Sequence, residues 1–200
     1  MPSAPATRAK LLAAARSAFA DLGYGRARVE DIVTRAGVGH GTFYAYFANK
    51  REALVALLKQ NAEKLMELAA RPWRAADVHA SLEAVIGGLA DLYDADADLI
   101  ALGSEAAPQD PELAALLDEV RRQFVARVQR NIEHAQAQGL ARRVDPHAAA
   151  TALSAMSEYT LFLRSVRKEP LDRTTTVGTL ADLWYHALYL GGPERPEPRS

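Results

Sequence analysis

The chain of 200 residues has no cysteine. That excludes disulfides, thiolate metal sites and thiol catalysis, and it fits a reducing compartment. Runs of valine, isoleucine and threonine are scarce, which argues against strands, while alanine, leucine, arginine and glutamate dominate and favour helices. No segment reaches the roughly 18 consecutive apolar residues that a membrane span needs. Met1 to Lys10 lacks the apolar stretch of a signal peptide. A cytoplasmic location with no membrane partner is the expectation. The five histidines (His40, His79, His134, His147, His186) show no H-E-x-x-H pairing, and neither a glycine-rich phosphate loop nor a nucleophile elbow occurs. Asp94, Asp96 and Asp98 with Glu105 echo a calcium loop, but Leu99 stands where its sharp turn wants glycine. Those aspartates are expected in a solvated turn between helices. No catalytic residue, metal or cofactor is expected.

What remains is a chain that is 49% hydrophobic and 24% charged, enough to bury a sizeable core. Its net charge of −1 conceals a split. Residues 1–52 hold eight basic side chains (Arg8, Lys10, Arg16, Arg26, Arg28, Arg35, Lys50, Arg51) against four acidic ones (Asp21, Glu30, Asp31, Glu52). The head is therefore +4 and the rest of the chain −5. A basic head on an acidic body suits a DNA-binding module joined to a different domain.

Helical periodicity runs nearly end to end. Leu11, Ala15, Phe19 and Leu22 share one face of a first helix that Gly23 stops. Val29, Ile32, Val33 and Ala36 make a short second helix stopped by Gly37, and Gly39 to Phe47 a third. Asn49 with Glu52 three residues on reads as a capping box opening a fourth helix that Pro72 ends. Val78 to Tyr93 and Leu99 to Ala107 follow. Asp110-Pro111 and Asp145-Pro146 each combine a capping aspartate with proline in the first turn. They open a long helix closed by Gly139 and another from about His147 to Arg167. A last helix is expected to begin at Thr174 or Thr175 and to end at Gly191-Gly192-Pro193. A polar, proline-rich tail over 192–200 is expected to be disordered.

The informative segment is Val29 to Phe47, two short helices meeting across Gly37-Val38-Gly39. Glycine suits the left-handed backbone of such a turn, and Val38 can fill the wedge between the helices. Phe43 and Phe47 lie four residues apart and should face inward, leaving His40, Gly41, Thr42, Tyr44 and Tyr46 outward. An outward face with donors, aromatics and no carboxylate is what a helix against phosphates requires. A plain helical bundle with a tight turn is the bland alternative, and it leaves so many exposed aromatic and imidazole groups unexplained.

Thr7-Arg8, Phe19, Gly23-Tyr24, Val29 to Ile32, Ala36-Gly37-Val38, Gly41 to Tyr44, Tyr46-Phe47, Lys50 and Ala53-Leu54 together resemble the amino-terminal signature of TetR-type transcriptional regulators over about Thr7 to Leu58. Arg28 departs from it, standing where the family usually has a capping serine or threonine. The resemblance implies an all-α protein of about nine helices. A three-helix helix-turn-helix domain over 1–52 would be joined to a helical ligand-binding and dimerisation domain over 53–191. It also implies a homodimer on a palindromic double-stranded DNA operator, with recognition helices about 34–36 Å apart. The candidates for base edges are His40, Gly41 and Tyr46, and for phosphates Arg8, Arg28, Thr42, Tyr44 and Lys50.

The helix from His147 carries Leu153, Met156, Ser157, Tyr159, Thr160, Phe162 and Leu163, an apolar face set with hydroxyls. Any one of these is an ordinary core residue; as a group they suit an apolar cavity with a few orienting hydrogen bonds. Ala152 to Phe162, followed by Leu180 to Trp184 and Ala187-Leu188-Tyr189, is similar to the last two helices of EthR-like repressors. That likeness implies an apolar tunnel for a small hydrophobic effector, lined by Ile86, Leu89, Tyr93, Phe124, Val128, Ser154, Ser157, Phe162 and Trp184. It also implies that the last two helices pack against their copies in the dimer. Three function classes stay open: a ligand-released repressor, a DNA-binding regulator with no small-molecule effector or with a protein partner, and, distantly, an enzyme in the helical body.

Overall fold

A computed structural model describes residues 4–73 and 77–189. The tail expected over 192–200 and the glycine pair expected to end the last helix lie outside the described residues. Among the described residues there are nine α-helices and no strands. In chain order they are α1 (Ala4–Leu22), α2 (Val29–Ala36), α3 (His40–Tyr44), α4 (Lys50–Ala69), α5 (Val78–Ala95), α6 (Ala97–Ala106), α7 (Pro111–Ala137), α8 (Pro146–Ser165) and α9 (Arg173–Leu188). A 3₁₀ turn, Ala107–Gln109, follows α6.

Most boundaries follow the local chemistry. Gly23 and Gly37 take positive φ, 78° and 59°, at the stops of α1 and α2. Asp110 accepts from the Leu113 amide at 3.0 Å, and Asp145 from the Ala148 amide at 2.7 Å. At α4, Asn49 accepts from the Glu52 amide at 3.0 Å, while Glu52 reaches one residue further back than a capping box, to the Ala48 amide. Two starts and one length differ from the sequence reading. The last helix begins at Arg173, because the Asp172 carboxylate takes both the amide and the hydroxyl of Thr175 at 2.8 Å, so the cap lies before the threonines. The sixth begins two residues early, at Ala97. The third helix is only five residues long, with Ala45 and Tyr46 continuing as a turn.

The chain groups into two compact units, one of residues up to Leu65 with Ala95–Val120, the other Met66–Asp94 with the residues from Arg121 onward. The boundaries fall inside α4, α5 and α7. In the first unit Leu11, Ala15, Phe19, Ile32, Phe43, Leu54, Leu99 and Leu113 form one buried cluster, so α6 and the first turns of α7 share a core with the amino-terminal helices. Removing each large side chain from water contributes about 1.5–3 kcal/mol. The second unit buries Leu82, Ile86, Leu89, Phe124, Val128, Ile132, Leu161, Leu180 and Trp184. An isolated bridge between Ala141 and Tyr189 ties the segment after α7 to the end of α9.

The three aspartates do not form a solvated turn: Asp94 lies in the last turn of α5, Asp96 stands at the N-cap of α6 and Asp98 lies in its first turn. Asp96, 2% exposed, accepts from Arg16 at 2.6 Å, Lys64 at 2.9 Å and Asn61 at 3.0 Å. Asp98 also pairs with Arg16. The sequence pattern of alternating acids looks hydrated only because its partners are some eighty residues away in α1 and more than thirty away in α4. In the second unit Asp94 accepts from Arg164 and from the Ser165 hydroxyl, both at 2.6 Å.

Burial pushes the Asp96 carboxyl up, but hydrogen bonds from Lys64, Arg16 and Asn61 outweigh it and hold the group below its ordinary value. A folded-state value lower than the unfolded one means that Asp96 stabilises the fold above the unfolded carboxylate pKa of about 4 and loses that contribution in acid. Asp96→Asn is expected to lower unfolding free energy by about 1–3 kcal/mol at pH 7. The gap from the parent should shrink as pH falls from about 5 to about 3, which urea titrations at several pH values would measure.

Candidate DNA-binding face and effector cavity

The helix-turn-helix is built from a turn that seals its own hydrogen bonds. The Gly37 amide donates to Thr34 O and the Val38 amide to Val33 O, both at 3.1 Å, and the half-buried Val38 packs against the core cluster. Phe43 and Phe47 are buried, their ring centroids 5.6 Å apart, and they pin α3 to the core from one side. The opposite side shows His40, Gly41 and Tyr44 to solvent, Tyr44 at 55% exposure, with Thr42 half-buried. The helix, His-Gly-Thr-Phe-Tyr, has no carboxylate.

Arg8 is exposed and its guanidinium lies 5.4 Å from the centre of the Phe47 ring, which stations a cation of α1 beside the end of α3. Arg28 occupies the N-cap of α2 with an exposed side chain. A guanidinium has no lone pair to give an amide, so only the reciprocal half of a capping box forms: Asp31 accepts from the Arg28 amide at 2.8 Å. Lys10 was not singled out by the motif, yet its Nζ comes within 3.8 Å of where a side chain on Gly37 would begin, beside the turn. The excess of base over acid in the first fifty residues was the signal that could have found it.

Two expectations for this face change. Tyr46 is half-buried and packs against the core cluster, because it falls in the turn after α3 and not on the outward side of a longer helix. Lys50 was expected on phosphate. Its ammonium instead donates to the carbonyls of Tyr24 at 2.7 Å, Ala27 at 2.8 Å and Gly25 at 3.1 Å, and lies 4.8 Å from the Tyr24 ring centre. An ammonium has three hydrogens, and all three are engaged. Partial burial also pushes its pKa below the ordinary lysine value. Three more of the eight basic groups are ion-paired within the protein: Arg16 with Asp96 and Asp98, Arg51 with Asp110 and Glu112, and Arg35 with Asp21.

In the second unit a small cavity gathers six of the nine expected ligand residues: Ile86, Leu89, Phe124, Val128, Ser157 and Trp184. Trp184 donates its indole N–H to Ser157 Oγ at 2.9 Å, and no charged side chain lines the space. Tyr93, Ser154 and Phe162 do not line it. Burial, with Glu158 near by, pushes the Tyr93 phenol well above its ordinary pKa. Ser154 is buried, with no hydrogen-bond partner for its hydroxyl among the described residues. Phe162 is half-buried beneath the Arg167 guanidinium. The lining also includes Trp73, Asn131, Val85 and Ala69, which no motif marked. The cavity holds about 20 Å³, room for about one water. A larger open cleft of about 720 Å³ in the first unit is lined by Tyr24, Arg51, Glu105, Asp110 and Glu112 and contains none of these residues. Among the described residues no group of three or more histidine, aspartate or glutamate side chains could hold a metal, and no helix is long and apolar enough to cross a membrane.

Residues 11–57 match the family described as bacterial regulatory proteins, tetR family, and residues 82–190 match the transcriptional regulator EthR, C-terminal domain. The chain belongs to the TetR family of transcriptional regulators, with an EthR-like carboxy-terminal domain. The HTH-type transcriptional regulator EthR of Mycobacterium tuberculosis is 25% identical over 193 residues, covering 94% of this chain and 89% of its own. Among solved structures, SmeT, the repressor of the Stenotrophomonas maltophilia multidrug efflux pump SmeDEF, superposes with a TM-score of 0.76 at 26% identity, covering 96% of this chain and 97% of its own. Its complex with triclosan gives 0.77 at 25% identity, with 98% and 99% covered. This TetR-family protein is therefore a DNA-binding transcriptional regulator of all-α fold, and its relatives are regulators and not enzymes.

Lys50→Met is expected to cost about 1–3 kcal/mol of stability, because three loop carbonyls lose their donor. The salt dependence of DNA binding should stay unchanged, since no phosphate contact is lost; a slope reduced by about one would return Lys50 to the phosphates.

Proposed function

We propose that this TetR-family chain is a repressor that binds a palindromic operator as a homodimer and is released by a small hydrophobic ligand. The observation that carries the DNA half is the acid-free exposed side of α3, with Arg8 beside one end of it and Arg28 at the start of α2. His40 and Gly41 are assigned to base edges, with Tyr46 reaching them from its half-buried position. Arg8, Arg28, Thr42 and Tyr44 are assigned to phosphates, and Lys50 holds the loop before α2. One five-residue helix reads few base pairs, so two copies in successive major grooves supply the specificity.

The dimer reading rests on large apolar side chains left in water on the last two helices: Tyr159 on α8, 64% exposed, and Leu183 on α9, 48% exposed. A second copy would cover them. Trp184 and Leu188 are buried within the unit itself, so Leu183 carries the outer side of α9. The effector half is supported by the cavity's apolar, uncharged lining and by the SmeT–triclosan complex. One observation favours a second reading, a regulator of the same fold that answers to no small molecule or to a protein partner: the cavity holds only about 20 Å³.

Footprinting on the DNA flanking the gene, repeated with candidate hydrophobic ligands, tests the whole reading. Protection of a palindrome that a ligand abolishes is the expected result; protection that no ligand disturbs would select the second reading. His40→Ala should weaken operator binding by about 1–3 kcal/mol and leave random DNA unchanged. Equal weakening of both would make His40 a backbone contact. Tyr159→Glu with Leu183→Glu should convert a dimer to a folded monomer in sedimentation at micromolar concentration.

A further inference from the structure

Of the eight basic side chains in the first 52 residues, five are engaged by the protein itself. Arg16, Arg35 and Arg51 pair with carboxylates, Lys50 holds three carbonyls, and Arg26 donates its Nε–H to Leu22 O at the end of α1 at 2.9 Å. Arg8, Lys10 and Arg28 are exposed and have no carboxylate partner among the described residues. Lys10 contrasts most sharply with Lys50. Each ammonium lies beside a turn of the head, but Lys50 bonds to its turn with all three hydrogens. Lys10 reaches the turn at Gly37 and has no hydrogen bond there or elsewhere among the described residues. Its three donors are all unused.

Arg8 and Lys10 come from one helix. Two residues apart on α1, they project about 200° apart, to opposite flanks. The Arg8 guanidinium lies 5.4 Å from the ring centre of Phe47, three residues after the end of α3. The Lys10 Nζ lies 3.8 Å from where a side chain on Gly37 would begin, three residues before the start of α3. The recognition helix therefore has an uncommitted cation beyond each of its ends, with the exposed His40, Gly41 and Tyr44 between them. Five residues of helix span about 7.5 Å. The major groove is about 12 Å wide, so groups beyond the helix ends are the ones placed to reach its phosphate walls.

We propose that Lys10 is a phosphate-binding residue, and that with Arg8 it clamps the recognition helix in the major groove by engaging two separate phosphates, one past each end of α3. This inference rests on the DNA-binding face proposed above and adds a residue to it. Ammonium and guanidinium meet a phosphate oxygen whatever base it carries. The pair therefore sets how firmly α3 is held on any duplex, and His40 and Gly41 are left to choose among bases.

The test uses the full chain and a random-sequence duplex of about 30 base pairs, long enough for two half-sites, with affinity measured from about 50 to 200 mM salt. Each phosphate contact contributes about 0.9 to the slope of log affinity against log salt, so Lys10→Met, present twice in a dimer, should flatten the slope by about 2. Arg8→Met should do the same, and the double variant should lose about 4, because the two cations hold different phosphates. Lys10→Arg should keep the parent slope. Lys10→Met should also keep the parent's midpoint in urea, since no internal hydrogen bond is lost. A parent slope in Lys10→Met while Arg8→Met flattens it would overturn the role of Lys10 and leave the DNA-binding face standing. A lowered urea midpoint with a parent slope would make Lys10 a structural lysine like Lys50. A double variant that loses no more than either single one would overturn the two-phosphate clamp. If the parent's affinity for the duplex does not change with salt, the DNA-binding face itself fails and this inference falls with it.

Discussion

A carboxylate taken out of water stays ionised only if donors surround it, and in this protein that demand falls on Asp96. Arg16 of α1 and Asn61 and Lys64 of α4 meet it, and so the start of α6 fixes the register of two other helices. Apolar packing alone tolerates small slides between helices; a buried charge with three donors tolerates very little, since a displaced donor leaves an unpaired charge. The core cluster of Leu11, Phe19, Phe43, Leu54 and Leu99 then fills around that fixed point. Lys50 extends the same logic to the recognition element. By holding the carbonyls of Tyr24, Gly25 and Ala27, it fixes the loop from which α2 starts, and with it the angle at which α3 is shown.

What was legible in the sequence was local. Positive-φ glycines at 23 and 37, aspartate–proline starts at 110 and 145, and the buried spacing of Phe43 and Phe47 act within a turn or two of chain, and each appears where the pattern put it. The TetR signature is dense for the same reason, being a string of such local requirements. The shortening of α3 was not legible, because nothing in Ala45-Tyr46-Phe47 breaks a helix; in the fold Ala45 and Tyr46 form a turn in which Tyr46 packs against the core.

What was not legible was distant. Nothing near Asp96 in the sequence announces Arg16, and nothing near Lys50 announces three carbonyls some twenty-five residues earlier. A basic side chain in a DNA-binding head reads as a phosphate contact by default, and only coordinates show that some are structural. The residues expected to line an effector cavity illustrate the reverse. Six expected residues do meet, yet Trp73 and Asn131 lay outside every motif, one in an irregular linker and one among several uncharged polar side chains of a long helix. Tyr93, Ser154 and Phe162 share helices with lining residues but not their orientation.

The pairing of Arg51 with Asp110 has a meaning beyond the joint it makes. Asp110 both caps α7 and neutralises a guanidinium that would otherwise add to the charge of the head, as Asp96 and Asp98 do for Arg16. A cation already paired with a carboxylate of its own protein offers less charge to phosphate and releases fewer counterions from DNA, which lowers affinity for arbitrary sequence. A regulator competes against a whole chromosome of wrong sites, and its occupancy of the right one depends on the ratio of the two affinities. By pairing with cations of the amino-terminal helices, these acids bear on that ratio of affinities without themselves belonging to the DNA-binding face.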